Sequence, residues 1–296
     1  MTDAAPPRPG TAGAVPAHVG VLGGGRMGSG IAHAFALAGS RVVVVEADAV
    51  AADAAASRIA QALARSVERG TTDRPLDELL DAVSTATDAS AFAGVGLVVE
   101  AVPEEPGLKR AGLARVEGAI ADDAVLASNT SSLSIDGLAQ GLRRPERFLG
   151  MHFFNPVPAS LLVEVVVGSA ASAPVVDAAR GWVRALGKTP VVVRDAPGFA
   201  SSRLGVALAL EAIRMLEEGV ASAEDIDAAM ELGYRHPTGP LRTTDLVGLD
   251  VRLAIADELH ERLGERFAPP ALLRRMVAEG RLGRKTGRGF YEWSDA

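Results

Sequence analysis

The chain has 296 residues, 48% of them hydrophobic, which is enough for a buried core and more length than one average domain needs. Its 37 acidic residues against 30 basic ones give a net charge of -7, which argues against nucleic acid and acidic membranes as partners and suits a small diffusible ligand. Cysteine is absent, so disulfides, thiolate nucleophiles and thiolate metal sites are excluded.

In chain order, "MTDAAPPRPGTAGAVP" at 1–16 reads as a disordered tail without the apolar run of a signal peptide, and the later apolar stretches are too short to span a membrane. A cytoplasmic protein is expected. From Ala17 the pattern is strand, glycine turn, helix, strand: "HVGVLG", "MGSGIAHAFALAGS", "RVVVVEAD". Apolar runs follow at "GVGLVVEAV", "DAVLASNTS", "RFLGMHFF", "LLVEVVVG" and "KTPVVVRD", with helix-like segments between most of them. That alternation predicts an α/β Rossmann-type, doubly wound, mostly parallel sheet. After "DAPGF" the period turns helical, as in "ALALEAIRMLEEG", with only "GFYEW" as a further strand candidate. The expected domains are therefore 17–198 and an all-α C-terminal domain over 199–296.

Gly23, Gly25 and Gly28 form G-x-G-x-x-G where a strand gives way to a helix, and the next strand ends at Glu46. Each position has its own physical role, with Gly23 for the tight turn, Gly25 for approach of a pyrophosphate and Gly28 for close packing of helix on strand. The free amides of the helix N-terminus then face the phosphates. A carboxylate at Glu46 can accept both ribose hydroxyls and repels a 2'-phosphate, so NAD is expected rather than NADP. The plain alternative is a glycine turn with no ligand.

Of the five histidines, none shows metal-ligand spacing, and His18, His33, His236 and His260 have no partner visible in the sequence. His152 lies in "GMHFFNPVPASLLVEVV", where two apolar strands flank an Asn-Pro-Val-Pro turn. In a hairpin centred on Pro158, His152 and Glu164 stand opposite one another on one face. A carboxylate beside an imidazole fixes its tautomer and raises its basicity, as a general base requires. From spacing alone, a solvated cross-strand pair is an equal alternative.

Together "VGVLGGGRMGSGIA", "VVEAVPE", "ASNTSSLSI", "HFFNPVP" with "LVEVV", "DAPGF", "GPLRTTDLVGLD" and "GRLGRKTGRGFYEW" resemble the L-3-hydroxyacyl-CoA dehydrogenase family, particularly its short bacterial 3-hydroxybutyryl-CoA dehydrogenases. The resemblance runs from about Val19 to Trp293. It implies a dinucleotide-binding domain followed by a helical domain that builds a homodimer and covers the active-site cleft. It implies NAD-dependent, reversible oxidation of a (3S)-3-hydroxyacyl thioester, with His152 as the base, Glu164 as its orienting carboxylate, and Ser131 on the substrate near the cofactor. Glu104 and Lys109 match positions that contact the nicotinamide-side ribose, and Asn155 and Lys285 match cofactor-side residues. On residues alone, Ser131 is one hydroxyl at a serine-rich helix entry, for which Ser132 is the expected N-cap.

The sequence departs from the family at three places. Ser202 stands where an Asn usually holds the substrate, and Leu161 stands where a lysine is common. The helix after the second strand offers Ala62 in place of a CoA-binding hydroxyl, with Arg65 and Arg69 nearby. These changes leave an acyl-carrier-protein thioester, as in building polyketide extender units, as an alternative to acyl-CoA. A free hydroxy-acid or sugar-acid dehydrogenase and a non-catalytic NAD sensor are the other readings; the His152 and Glu164 pair argues against the sensor.

Overall fold

The computed structural model describes residues 14–294; residues 1–13 of the expected tail lie outside the described residues. The chain divides into two compact units between Asp195 and Ala196. The folded part of the first unit begins before Ala17, since Val15 packs against the core and the Pro16 carbonyl accepts from Ser40 Oγ at 2.8 Å.

The first unit runs β1 (His18–Leu22), α1 (Arg26–Leu37), β2 (Arg41–Val45), α2 (Ala49–Glu68), α3 (Leu76–Asp81), β3 (Val83–Ala86), β4 (Leu97–Glu100), α4 (Pro106–Glu117), β5 (Val125–Ser128), α5 (Ile135–Ala139), β6 (Phe148–Phe153), β7 (Leu162–Val167), α6 (Ala173–Ala185) and β8 (Thr189–Arg194). They form an eight-stranded sheet in the order β3-β2-β1-β4-β5-β6-β7-β8. Every neighbouring pair is parallel except β6 with β7. Central strands β4 and β5 are buried at every position on both faces, so they are apolar up to their last residues, Glu100 and Ser128. The sheet was legible except for β3. "VSTA" is a polar, partly exposed edge strand held by register with Val42 to Val45, so it shows no apolar run.

The fold follows from the glycine turn outward. Gly23 has φ +92, a conformation that favours glycine, and its amide donates to the Val45 carbonyl at 2.8 Å, joining the ends of β1 and β2. A Cβ on Gly28 would lie 1.8 Å from the Gly23 carbonyl oxygen, so α1 can approach β1 only with glycine there. Ile31, Ala32, Phe35 and Ala36 then bury the inner face of α1 against Val19, Val21 and Val42.

The second unit is helical: α7 (Ser201–Glu217), α8 (Ala223–Tyr234), α9 (Pro240–Val247), α10 (Leu249–Leu263) and α11 (Ala271–Ala278). Leu210, Ile213, Leu241, Leu249, Leu259 and Leu273 supply its separate core. The "GFYEW" segment forms isolated bridges at Arg288 and not a strand. Two buried carboxylates hold it, since Asp245 accepts from the amides of Phe290 and Tyr291 and from Trp293 Nε1, and Asp227 accepts from the Tyr291 hydroxyl.

Candidate active site

Four strands of the first unit, β1, β4, β5 and β6, point their carboxyl ends to the same edge of the sheet. That edge is where open parallel sheets bind ligands. At β1, Gly25 is open: a Cβ there would meet nothing within 4 Å. Among the described residues no side chain caps α1, and its first turn holds no carboxylate. Amide donors with room in front of them fit a pyrophosphate. Glu46 follows β2 directly, and its Oε1 accepts from the Gly24 amide at 2.6 Å, which fixes the carboxylate at the rim of the turn. The Gly24 carbonyl is held from behind by Ser29 Oγ at 2.6 Å and Arg58 Nη2 at 2.8 Å.

Next along the edge is a buried charge network. Glu100, fully buried at the end of β4, accepts at Oε1 from Lys109 Nζ and the Val102 amide, both at 2.7 Å, and at Oε2 from Ser128 Oγ at 2.6 Å. Lys109, 1% exposed, also donates to the Val102 carbonyl and pairs with Glu104 at 3.2 Å. Glu104 Oε1 gathers the loop after β5, accepting from Thr130 Oγ1 at 2.6 Å, the Ser131 amide at 2.8 Å and the Ser132 amide at 3.1 Å. The hydroxyls of Ser131 and Ser132 lie at 3.2 Å from the same oxygen. Burial pushes the Glu104 carboxyl up, but the Lys109 ammonium and the bonds from Thr130 and Ser131 outweigh it and hold the group below the usual carboxylate range.

This network corrects one expectation. Ser132 does not cap the following helix; Ser134 does, accepting from the Gly137 amide at 3.0 Å. Glu104 has drawn Ser131 and Ser132 into its own shell, so the cap falls two residues later.

At β6 the hairpin register pairs His152 with Glu164. His152 Nδ1 lies 2.8 Å from Glu164 Oε2, with Glu164 fully buried and the imidazole 7% exposed. The Phe154 ring packs at 4.4 Å between centroids. The Asn129 side chain accepts from the Phe153 amide at 2.8 Å, tying the loop after β5 to the end of the histidine strand. Asn155 is exposed and precedes a cis peptide bond to Pro156.

The two expected residues of the second unit lie in its own framework. Ser202 is half-buried in the first turn of α7. Lys285 pairs with both carboxylate oxygens of Asp250 at 2.6 Å. Among the described residues no cluster of three His, Asp or Glu side chains is placed to hold a metal, and no helix is long and apolar enough to cross a membrane.

Glu100, Ser128, Thr130 and Asn129 are site residues that the sequence reading does not include. Glu100 sits inside "LVVEAV", where a lone acid in an apolar strand ending at the ligand edge was the available signal.

The description "3-hydroxyacyl-CoA dehydrogenase, NAD binding domain" matches residues 18–196, and "3-hydroxyacyl-CoA dehydrogenase, C-terminal domain" matches residues 198–293. The chain belongs to the 3-hydroxyacyl-CoA dehydrogenase family. A 3-hydroxybutyryl-CoA dehydrogenase of Mycobacterium tuberculosis is 44% identical over 281 residues, covering 93% of this chain and 98% of its own. The mitochondrial hydroxyacyl-coenzyme A dehydrogenase of Rattus norvegicus is 40% identical, covering 93% and 91%. The crystal structure of (S)-3-hydroxybutyryl-CoA dehydrogenase from Ralstonia eutropha superposes with a TM-score of 0.90 at 39% identity, covering 94% of this chain and 99% of that one. In this 3-hydroxyacyl-CoA dehydrogenase family member, the glycine turn, the Glu100 network and the His152 and Glu164 pair all fall within the stretch matched as NAD binding.

Proposed function

We propose that the chain oxidises the 3-hydroxyl of a (3S)-3-hydroxyacyl-CoA, such as 3-hydroxybutyryl-CoA, to the 3-oxoacyl thioester, reversibly and with NAD. The observation that carries this reading is the buried His152 and Glu164 pair on the same sheet edge as an uncapped, glycine-opened helix N-terminus. NAD, when bound, supplies the hydride acceptor. Gly23, Gly25 and Gly28 shape the turn that would hold its pyrophosphate, and Glu46 would hold the adenosine ribose and exclude a 2'-phosphate.

The chain's own chemistry is proton transfer. With the Nδ1 proton directed to Glu164, His152 carries its lone pair at Nε2, where it takes the 3-hydroxyl proton. Removing that proton as the C3 hydride departs avoids both a free alkoxide and a carbocation. Glu164 steadies the imidazolium so formed without taking the proton itself. Ser131, with its amide and hydroxyl fixed by Glu104, orients the substrate oxygen, and Glu104 and Asn155 lie on the cofactor side. Lys109 is buried, so its part is to place Glu104 and not to meet ribose directly. Ser202 and Lys285 are assigned to substrate and cofactor on family resemblance. A homodimer in the cytoplasm completes the reading; Leu204, Leu232 and Tyr234 leave large apolar side chains exposed on the second unit, as a dimer face would.

An acyl-carrier-protein thioester is the second reading, favoured by Ala62 on α2 where the family has a CoA-binding hydroxyl. The test follows NADH formation across 3-hydroxyacyl-CoA esters, the same acyl groups on a carrier protein, and free 3-hydroxy acids. Higher kcat/KM on the CoA esters is expected. Preference for the carrier-bound group moves the assignment to the second reading, and turnover of free acids alone overturns both. In the same assay His152→Ala should lower kcat by on the order of 100- to 10,000-fold while NAD still binds.

A further inference from the structure

Two carboxylates share one ammonium at the end of β4. Glu100 and Lys109 are buried, at 0% and 1% side-chain exposure, and Glu104 is 35% exposed. The group Glu100, Lys109 and Glu104 therefore carries one net negative charge. Lys109 alone would neutralise Glu104; Glu100 is what leaves the excess. Glu105, next in sequence, turns outward to cap α4 through the Gly107 amide and stands in solvent.

The strand order places this charge. A dinucleotide with its pyrophosphate at Gly25 and its adenosine ribose at Glu46, on the β2 side, must send its other half over β4 and β5 toward β6. Glu100 ends β4, Ser128 ends β5 and His152 lies near the end of β6. At about 4.8 Å per strand, the end of β4, where Glu100 sits, is roughly 10 Å across the sheet from the end of β6. The oxidised nicotinamide ring bears a positive charge and the reduced ring does not.

We propose that Glu100 is a positioning residue that sets the redox preference of the dinucleotide site, its excess charge favouring NAD over NADH. It acts through Lys109 and Glu104 and need not touch the cofactor. The inference rests on the NAD-dependent reading above and deepens it. A buried charge acts through little solvent, so its effect survives where an exposed one is screened.

The test measures the dissociation constants of NAD and NADH, by calorimetry or by nicotinamide fluorescence, on the full chain and on Glu100→Gln. The amide keeps the shape and removes the charge. The ratio Kd(NAD)/Kd(NADH) should rise by about three- to tenfold, because contacts common to both forms cancel and the ring charge does not. A purely structural Glu100 would weaken both forms alike, and an unchanged ratio overturns the inference. Should Glu100→Gln fail to fold, Glu104→Gln removes the same unit of charge from a partly exposed position. Its ratio must move in the same direction, and a ratio that stays fixed or falls sinks the proposal. If the unaltered chain binds neither form, the dinucleotide reading falls and takes this inference with it; if it binds both and only the variants fail to shift, the inference falls alone.

Discussion

Glu164 has no exposed surface and meets His152 Nδ1 at 2.8 Å, so its charge acts at short range in a dry place. Replacing it with Gln keeps the volume and removes the charge that steadies a protonated ring. Glu164→Gln should lower kcat by on the order of 100-fold or more while leaving the Kd of NADH, whose ring carries no charge, within about twofold, as separate turnover and binding measurements would show. His33 makes a different prediction. It is buried, its Nε2 sits 2.8 Å from Ser66 Oγ, and burial lowers its pKa from the ordinary 6.5; the Ala62 backbone opposes this shift, and the charges of Arg65 and Lys188 add to it. The unfolded chain therefore takes up this proton at a higher pH than the folded one. Stability from neutral His33 is complete above about 6.5 and is lost as pH falls toward the folded value. Denaturant melts between pH 7 and 5 should show a shallower loss in His33→Gln than in the parent. Equal slopes would mean that His33 contributes nothing to the acid limb.

The hairpin of β6 and β7 is the element on which the site turns, and its tip is fastened twice. Val157 packs on α1 at Gly30, where an added Cβ would lie 2.9 Å from the valine. Lys188, just before β8, donates at 2.6 Å to the carbonyls of both Val157 and Ser160. Its side chain is buried, and burial lowers its pKa, so the ammonium is held by backbone dipoles and not by solvent. Lys188→Met keeps the aliphatic stem and leaves two carbonyls short of a donor, though it also removes a desolvated charge. The net loss should be about 1–3 kcal/mol in urea unfolding with an unchanged m-value. No loss would show that the cost of burying the ammonium equals what its two bonds return. The register of this hairpin could be read from the sequence because Asn-Pro-Val-Pro marks the turn, and centring the hairpin on Pro158 sets His152 opposite Glu164. Lys188 could not, since it reaches the tip from a segment 31 and 28 residues away and belongs to no local pattern.

Over the whole molecule, what is legible is what repeats locally: apolar strands, the glycine turn, and the change to helical period, which the sequence puts after the DAPGF stretch, with a boundary at 198, and the structure at Asp195. What was hidden depends on side chains that meet only after folding. Glu100 with Ser128 and Glu104 with Thr130 are such pairs, and sequence gives each residue singly with no sign of its partner. One apolar cluster runs from Val19 to Val183 and the other from Val206 to Met276, so each unit has a core of its own. Every proposed cofactor residue except Lys285 lies in the first unit, and Lys285 is already neutralised by Asp250. A fragment of residues 14–195 should therefore fold cooperatively and bind NAD within about threefold of the full chain. Saturation at 100 times Kd should raise its unfolding free energy by about 2.7 kcal/mol. Thermal unfolding of the fragment with and without NAD reads both quantities. A tenfold or greater loss of affinity in a folded fragment would transfer part of the binding free energy to residues beyond 195, with Lys285→Met in the full chain as the variant that must then reproduce it.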